Sequence, residues 1–254
     1  MATQDLWQSI SPPAPAPAGR EASRKRLRQP RGSAPEGIEP IEHSGLLPVR
    51  AERISTPGNA LKRTIDLSFS SAMLVLLAPV LVIIALAIRL DSPGPVFYIS
   101  ERIGRQGRSF RCFKFRTMVS DAERQQQRML HLNERDGVLF KIARDPRVTR
   151  VGRLLRKYSL DELPQFFNVL RGEMSVVGPR PPVASEVREY TKKHLQRLAV
   201  RPGITGLWQT QSRHDPSFES YVSLDLAYIE HWSVVLDLKI IVQTVGVIFA
   251  GTGI

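Results

Sequence analysis

The 254-residue chain contains a single cysteine, Cys112, so an internal disulfide framework is excluded. Its histidines show no metal-ligand spacing, which together with the lone cysteine argues against a zinc site. Neither a Walker phosphate loop nor a dinucleotide-binding glycine fingerprint occurs. Residues 1–60 lack the short apolar core of a signal peptide, so we expect no secretory leader and a working part that faces a reducing cytoplasm.

Acidic side chains are also in short supply. The 24 Asp and Glu residues face 36 Lys and Arg residues, which gives a formal net charge of +12. Such a surplus predicts anionic partners, namely nucleic acid, an acidic membrane surface or phosphate-bearing substrates. Charge alone does not choose among these three. The length leaves room for one compact domain beside an irregular N-terminus.

The N-terminal segment, residues 1–58, is rich in proline and poor in large apolar side chains. It cannot bury enough apolar surface to offset the entropy of ordering it, so we predict a disordered tail. Its basic run, from Arg24 to Arg31, is either a solvated part of that tail or a contact with anionic lipid, worth about 1 kcal/mol per charge near the surface.

Residues 67–88 contain no charged side chain, and as a helix they would extend roughly 33 Å, enough to cross the hydrocarbon layer of a bilayer. Pro79 lies at the middle of this segment, where it removes a backbone hydrogen bond and bends a helix. Both flanks are basic, with Lys62 and Arg63 before the segment and four arginines after it. Two readings stay open: a re-entrant helix broken at Pro79, with both ends on the cytoplasmic side, and a plain spanning helix. We assign residues 59–92, which are this segment and its flanks, to one membrane unit.

For the remaining residues, 93–254, the sequence pattern predicts an α+β unit that is predominantly helical. Two segments rich in β-forming residues, 96–103 and 108–117, flank Gly104-Arg105-Gln106-Gly107 and predict a β-hairpin. Polar or basic surface helices are predicted at 121–132, 148–157 and 185–198. Residues 234–249 are strongly apolar and form either a core helix or an amphipathic helix at the membrane interface.

The most informative stretch surrounds Asp161 and Glu162. Ser159 and Glu162 have the spacing of a capping box, and Pro164 prefers the first turn of a helix. A helix is therefore predicted to begin here, with both acids in its first turn. There the helix dipole and the free N–H groups favour an ionised carboxylate. Taken alone, acids at such a position usually do no more than cap the helix.

Cations and stiff loops surround this acid pair in the sequence. Six cations precede it at a spacing of three residues: Lys141, Arg144, Arg147, Arg150, Arg153 and Arg156. They form either a solvated face or, beside two acids and a membrane segment, a phosphate-rich site. Two later motifs, Gly178-Pro179-Arg180-Pro181-Pro182 and Arg201-Pro202-Gly203, each hold an arginine in a proline-fixed loop that suits phosphate binding.

In combination and order, these motifs resemble those of the bacterial monotopic phosphoglycosyl transferases, also called the bacterial sugar transferase family. The resemblance covers nearly everything after residue 60. Besides the two proline-fixed loops and the Pro79 segment, its motifs are Lys62-Arg63-Thr64-Ile65-Asp66, Phe113-Lys114-Phe115-Arg116-Thr117-Met118, Ser159-Leu160-Asp161-Glu162-Leu163-Pro164-Gln165, Phe167-Asn168-Val169-Leu170 and Leu236-Asp237-Leu238-Lys239-Ile240. Residues 215–233 look like those of the undecaprenyl-phosphate hexose-1-phosphate transferases that start exopolysaccharide assembly.

The resemblance implies a monotopic membrane protein with a re-entrant helix, interfacial amphipathic helices and a catalytic domain at the cytoplasmic face of the bacterial inner membrane. It also implies a Mg²⁺-dependent reaction in two half-steps. In the first, a carboxylate attacks the sugar-bearing phosphate of a UDP-sugar and releases UMP. In the second, polyprenyl (undecaprenyl) phosphate displaces the sugar phosphate from the enzyme. A carboxylate nucleophile suits this division into two displacements.

The same resemblance assigns residues to roles. Asp161 matches the nucleophile and Glu162 the second acid of the dyad, and both are implied as Mg²⁺ ligands. Substrate-binding roles are implied for Lys114, Arg116, Arg156, Arg180, Arg201 and Arg213. The last of these belongs to Thr210-Gln211-Ser212-Arg213, where relatives often show a Val-Asn/Ser-Gly-Arg pattern. An anionic phospholipid membrane is an implied partner, nucleic acid is not expected to be one, and homo-oligomerisation stays open.

Two other classes of protein compete with this reading. One is a nucleic-acid-binding protein tethered to the membrane by residues 67–88, against which the sequence shows no recognisable nucleic-acid fold signature. The other is a catalytically silent scaffold of polysaccharide assembly. The intact Asp161-Glu162 pair argues against it, and UMP release from a UDP-sugar would exclude it.

Overall fold

The computed structural model describes residues 56–126, 128–129, 142, 145–212 and 217–251. Residues 1–55 of the predicted tail lie outside this part of the chain, as do Lys141, Arg144 and Arg213. The last three residues of the predicted tail, 56–58, already belong to the first helix. Within the described residues the protein is mostly helical, with two small sheets and one long apolar helix.

The long helix α1 runs over Thr56–Asp91 without interruption, and Pro79 lies inside it. Its stretch Gly58–Asp91 is long and apolar enough to cross a membrane, by length and composition. Side chains around the proline, such as Val75 and Ile83, are exposed rather than packed against the protein. The predicted membrane unit is therefore a continuous helix in secondary structure, and a re-entrant bend of its axis at Pro79 stays a prediction.

The predicted β-hairpin is confirmed. Strands β1, Phe97–Ile103, and β2, Ser109–Phe115, pair antiparallel, and Tyr98 lies opposite Lys114. A single 3₁₀ turn, Arg105–Gly107, joins them at the predicted position. The alternation of strand side chains leaves Lys114 on the same face as the buried Cys112.

Short elements follow the hairpin. The described helices are α2 at Ala122–Gln126, α3 at Arg150–Lys157, α4 at Gln165–Leu170, α5 at Ala184–Arg188, α6 at Lys192–Leu195, α7 at Leu207–Gln211, α8 at Phe218–Glu230 and α9 at Val234–Ala250. Two further 3₁₀ turns cover Leu160–Glu162 and Gln196–Ala199. Strands β3, Ser175–Val177, and β4, Gly203–Thr205, pair in parallel and make a second sheet of two strands.

The single exposed helix predicted at 185–198 is wrong. The chain instead forms α5, α6 and a 3₁₀ turn, and Thr191 starts α6 by capping it through the backbone N–H of His194. His194 and Arg197 point into the protein, where Arg197 forms an ion pair with Asp225 at 2.7 Å. Burial of this charged pair with its hydrogen-bonding partners is a long-range constraint that local patterning does not reveal.

Helix α9 combines the two roles left open for residues 234–249. Leu236 and Ile240 are buried in the core. The opposite side carries exposed apolar side chains, which are Val235, Leu238, Val242, Val245 and Phe249. One side of the helix therefore packs on the domain, and the other leaves an apolar stripe uncovered by the described residues.

Two apolar clusters hold these elements together. The larger one takes residues from the hairpin, α4, β3 and the C-terminal helices: Phe110, Cys112, Phe166, Val169, Met174, Val176, Val177, Leu207, Leu224, Tyr228, Ile229, Leu236 and Ile240. The smaller one packs Ile84 and Ile88 of α1 against Phe115 and Leu155. Because both clusters include residues of β2 and Leu163 packs against both, the acid pair between α3 and α4 is fixed relative to the membrane helix.

Polar contacts tie both ends of α1 to this same domain. Near its start, Lys62 forms an ion pair with Asp237 at 2.7 Å, and Asp66 accepts a hydrogen bond from the backbone N–H of Val176 at 3.0 Å. At its last residue, Asp91 accepts a hydrogen bond from the backbone N–H of Val151 at 3.1 Å. The two ends of the helix are thus held by one folded unit, while most side chains around Pro79 are exposed.

We expect Gly152→Ala to destabilise the protein, because α3 approaches the hairpin too closely for a side chain. A Cβ at Gly152 would lie 2.1 Å from the carbonyl oxygen of Thr117. Overpacking against backbone costs about 3 kcal/mol, which lowers the melting temperature by about 6–12 °C in a domain of this size. The measurement is thermal unfolding of the purified protein in detergent.

Gly246→Ala is the matched control, since a Cβ at Gly246 meets nothing within 4 Å among the described residues. Alanine in an open helical position should stabilise by about 0.5–1 kcal/mol. Equal effects of the two substitutions would contradict the close packing of α3 on the hairpin.

Candidate active site

The acid pair lies on a turn between two helices. Asp161 and Glu162 belong to the 3₁₀ turn Leu160–Glu162, and α4 begins three residues after Glu162, with Pro164 as its N-cap. The predicted capping box is wrong, because Ser159 adopts a left-handed backbone with φ of 55° and its side chain makes no capping hydrogen bond. The left-handed residue ends α3 and turns the chain, so both acids come before α4 rather than in its first turn.

Glu162 faces the hairpin. Its Oε1 atom lies 2.6 Å from Nζ of Lys114 on β2, and both side chains keep contact with solvent. The pairing places an ammonium group beside the acid pair, and the substrate-binding role implied for Lys114 stays a prediction. A partly exposed ion pair contributes about 1 kcal/mol or less to stability, so its geometry matters more for the site than for the fold.

Asp161 is recessed among charged groups. Burial raises the pKa of its carboxyl group to about 6, with Glu162 acting in the same direction, while Lys114 and Arg156 oppose the rise. The sequence predicted that a helix dipole would favour the carboxylate, but desolvation is the larger effect here. A carboxyl group with a raised pKa between two cations is typical of a functional site.

Arg156 reaches this site from α3. Its Nε donates a hydrogen bond to Oγ1 of Thr117 at 2.9 Å, and its charge acts on Asp161. The other described members of the basic series go elsewhere. Arg150 and Arg153 are exposed, and Arg147 is buried in an ion pair with Asp145 at 2.6 Å. The spacing of three residues therefore does not produce one cationic face.

Arg180 lies on the same side of the hairpin as the acid pair. It pairs with Glu186 at 3.4 Å, and Arg102 of β1 donates to the carbonyl oxygen of Pro181 at 3.2 Å. Burial lowers the pKa of Arg102, and the nearby charge of Arg180 lowers it further. The thiol of Cys112 lies within electrostatic reach of Lys114, Arg102, Glu162 and Arg180, and burial raises its pKa. One face of the hairpin thus connects the acid pair to two arginines.

Arg116 does not face the acid pair. It is buried, with 5% of its surface exposed, and donates hydrogen bonds to the carbonyl oxygens of Ser92 and Pro93 just after α1. Gly94 makes room for it, since the backbone of Gly94 has a φ of +125° and a Cβ there would clash with the guanidinium of Arg116. Arg116 therefore fastens the end of the membrane helix to β2.

Arg201 also lies apart from the acids. Its Nε donates to the carbonyl oxygen of Gly172 at 2.9 Å, beyond the C-terminal end of α4, whereas Asp161 precedes the N-terminal end. Arg213 is outside the described residues. Of the implied substrate-binding residues, the structure brings Lys114 and Arg156 next to Asp161 and places Arg180 on the adjoining face.

Some site residues were quoted in motifs without a role. Thr117 orients Arg156, and the fully buried Asn168 donates from Nδ2 to Arg111 O at 2.6 Å and accepts from Phe113 N–H at 3.0 Å. Asn168 thereby joins α4 to β2 just before Lys114. Arg102 is one of the four arginines that follow the apolar segment, and no separate role was predicted for it from the sequence. Its position within a predicted strand of the hairpin was the available signal.

Two carboxylates are the oxygen donors that this site offers a metal. Within the described residues, no group of three or more His, Cys, Asp or Glu side chains could hold a metal ion. Mg²⁺ usually keeps several waters and binds one or two carboxylates together with substrate phosphates. The pair Asp161 and Glu162 fits that second type of site and does not fit an all-protein cage.

The sequence profile of the family described as bacterial sugar transferase matches residues 58–251. The chain belongs to the bacterial sugar transferase family. The matched range includes the membrane helix, the hairpin and the acid pair. The family resemblance inferred from the motifs is confirmed.

Individual relatives agree with this assignment. The chain is 44% identical over 193 residues to a galactosyl transferase, CpsE, of Streptococcus agalactiae, covering 76% of this chain and 43% of that protein. It is 39% identical over 212 residues to the exopolysaccharide production protein ExoY of Rhizobium meliloti, covering 82% of this chain and 94% of that protein. It is 38% identical over 217 residues to the UDP-glucose:undecaprenyl-phosphate glucose-1-phosphate transferase of Escherichia coli, covering 82% and 44%. The chain thus spans less than half of the length of two of these relatives and nearly all of the third.

We expect Arg116→Gln and Arg156→Gln to differ in stability. Arg116→Gln removes a buried cation from several backbone carbonyls and should cost about 3 kcal/mol, or about 6–12 °C in melting temperature. Arg156→Gln removes one hydrogen bond at a half-buried position and should cost about 1 kcal/mol. Thermal unfolding of both variants checks this. A larger loss for Arg156→Gln would contradict the structural role given to Arg116.

Proposed function

We propose that the protein transfers a sugar 1-phosphate from a UDP-sugar to undecaprenyl phosphate through a covalent aspartyl intermediate, with release of UMP. The observation that carries the proposal is the recessed carboxylate of Asp161, held beside Glu162 and between Lys114 and Arg156. The names of two relatives above supply the chemical class of donor and acceptor, since one is a galactosyl transferase and another takes UDP-glucose and undecaprenyl phosphate.

In the first half-step, a carboxylate oxygen of Asp161 attacks the phosphorus that bears the sugar. A P–O bond to Asp161 forms while the P–O bond to UMP breaks, and UMP leaves with the bonding electrons. Lys114 and Arg156 lie where they offset charge on the reacting phosphoryl group. Arg180 and Arg102 extend the cationic face and suit the second phosphate of the donor.

In the second half-step, a phosphate oxygen of undecaprenyl phosphate attacks the same phosphorus and the bond to Asp161 breaks. The product is an undecaprenyl diphosphate sugar, and Asp161 regains its carboxylate. Glu162 is placed for one of two roles, either positioning the metal and substrate or taking the proton of the incoming phosphate. Its pairing with Lys114 supports positioning, since a paired carboxylate is a weaker base.

We also propose Mg²⁺ as the cofactor. The carboxylates of Asp161 and Glu162 would hold it together with phosphate oxygens of the donor. When bound, Mg²⁺ neutralises negative charge on the diphosphate. Asp161 would then be both a ligand of the cofactor and the nucleophile. The positive charge of Lys114 and Arg156 would limit repulsion between its carboxylate and the substrate.

We propose that α1 enters the inner membrane from its cytoplasmic face and returns to the same face. Support comes from the contacts at both ends of the helix. Lys62 near the start and Asp91 at the end bind the same folded unit, and the middle of α1 around Pro79 is exposed and apolar. A straight spanning helix would separate its two ends by the thickness of the bilayer, about 30 Å.

Cysteines introduced at Ala60 and Ser92 test this placement. Both should react with a membrane-impermeant thiol reagent only after the cells are opened, because both lie on the cytoplasmic side. Cys112 is fully buried and should give no background labelling. Reaction of one of the two introduced cysteines in intact cells, with the other protected, would show that α1 spans the membrane.

The covalent step has its own test. Enzyme alone with a UDP-sugar and Mg²⁺ should release about one UMP per active site and keep the sugar phosphate, as a ping-pong reaction requires. Asp161→Asn should lower this release by about 1,000-fold or more, since the amide is nearly isosteric but does not attack phosphorus. UMP release and intact-protein mass spectrometry make the two measurements.

Glu162→Gln is the matched variant, since it makes the same chemical change at the adjacent position. It should keep part of the covalent labelling while slowing transfer to undecaprenyl phosphate. Normal turnover by folded Asp161→Asn would remove Asp161 from the mechanism. It would be consistent with a helix-terminating role alone, which asparagine fills as well as aspartate.

A further inference from the structure

A second basic cavity lies apart from the acid pair, beside the start of the membrane helix. Its volume is about 90 Å³, and its lining residues include Lys62, Arg63, Asp66, Arg105, Arg201 and Trp232. Four of these side chains are cations and one is an acid. The cavity therefore has a surplus of positive charge, which predicts an anionic occupant.

The protein neutralises only part of this charge. Lys62 pairs with Asp237 at 2.7 Å, whereas Arg63 donates from Nη1 to Val169 O at 2.7 Å and meets no carboxylate there. Arg201 uses its Nε for Gly172 O. The side chain of Arg105 makes no hydrogen bond and no ion pair with any residue that the structure describes.

Like charges crowd this cavity as a result. Arg105 is largely exposed, but partial desolvation against the protein lowers its pKa, and the neighbouring charges of Arg201 and Arg108 lower it further. The pKa of Arg201 is lowered by burial and then by Arg63, with only Asp66 opposing. The carboxylate of Asp66 is itself engaged by the backbone N–H of Val176. A bound anion would relieve this repulsion.

The position of the cavity indicates where the anion comes from. Three of the lining residues lie near the start of α1, just before its uncharged stretch at 67–88. They are Lys62, Arg63 and Asp66. On the membrane placement proposed above, they lie at the level of lipid headgroups. Trp232, whose indole N–H donates to Asp237 at 3.2 Å, is the type of residue enriched at that level.

The cavity is also separate from the reacting groups. Gly172, which holds Arg201, and Asp161 flank opposite ends of α4, a six-residue helix of about 9 Å. A space of about 90 Å³ holds a phosphate group in place of several waters. It is smaller than the several hundred Å³ of pockets that enclose whole organic ligands.

We propose that this cavity binds the headgroup phosphate of an anionic membrane phospholipid, with Arg105 and Arg201 as its principal contacts. Arg201 then belongs to a lipid site at the membrane surface and not to the UDP-sugar site. The proposal rests on the membrane placement given under the proposed function, and it does not depend on the covalent chemistry of Asp161.

Native mass spectrometry of the full chain in detergent micelles tests this. Phosphatidylglycerol and phosphatidylcholine with identical acyl chains are the probes. One phosphatidylglycerol should stay bound to the wild-type protein, and Arg105→Gln should weaken that binding by about five- to tenfold. Phosphatidylcholine, which is zwitterionic, should bind more weakly than phosphatidylglycerol. Arg105 is exposed in the hairpin turn, so its substitution is compatible with the fold.

Arg108→Gln is the matched control. It removes the same charge from an exposed position just after the same turn, but Arg108 is not among the lining residues. It should change phosphatidylglycerol binding less than Arg105→Gln does. Equal losses in the two variants would mean general attraction to the basic surface and would overturn the site, as would unchanged binding by Arg105→Gln.

A soluble phosphate compound could occupy the cavity in place of a lipid headgroup. Inorganic phosphate and UDP are therefore added as competitors at a concentration matched to the lipid. Displacement of phosphatidylglycerol by either would assign the cavity to a soluble anion and overturn the lipid proposal. Failure of the proposed function is read separately, because Asp161→Asn should lose UMP release and still retain the lipid.

Discussion

A buried carboxylate at Asp237 joins the beginning of the membrane helix to the last helix of the chain. It accepts hydrogen bonds from Lys62, Tyr228 and Trp232, and the Lys62 pair is 2.7 Å long with both side chains largely buried. A buried ion pair tolerates little displacement, since loss of one partner leaves an uncompensated charge. Together with the contact of Asp91 at the other end of α1, this contact fixes the position of the long apolar helix relative to the domain that carries the acid pair.

The cationic side chains of this protein fall into two groups according to their partners. Arg63 and Arg116 donate to backbone carbonyls at the two ends of the membrane helix, and Arg197 satisfies a buried Asp225. These guanidinium groups donate hydrogen bonds to partners within the protein, so they stabilise the fold. Lys114 and Arg156 keep part of their surface open beside Asp161, where we propose that they bind phosphate. A net charge of +12 is therefore the sum of several separate sites.

Burial and the two neighbouring cations act in opposite directions on the pKa of Asp161. Desolvation raises the pKa of its carboxyl group to about 6, which makes the carboxylate more basic than one in water. Lys114 and Arg156 limit this rise, so the group remains largely ionised at neutral pH. A carboxylate with this balance suits attack on a phosphorus centre, where basicity and ionisation are both needed.

The sequence alone determined the elements whose cause is local. Alternating β-formers around Gly104 and Gly107 gave the hairpin, an uncharged stretch gave the membrane helix, and the motif around Asp161 located the acid pair. Tertiary structure decided which cations serve the site. Arg116 and Arg156 both belong to stretches that suggested phosphate binding, yet Arg116 binds carbonyl oxygens just after α1 and Arg156 reaches the site of Asp161. The hydrogen-bonding partners of these two arginines lie 23 or more residues away in the chain, so their choice was not visible in the local sequence. Periodicity and spacing predict which residues lie close together along one helix or strand. The hydrogen-bonding partner of a buried cation depends instead on how distant parts of the chain pack together.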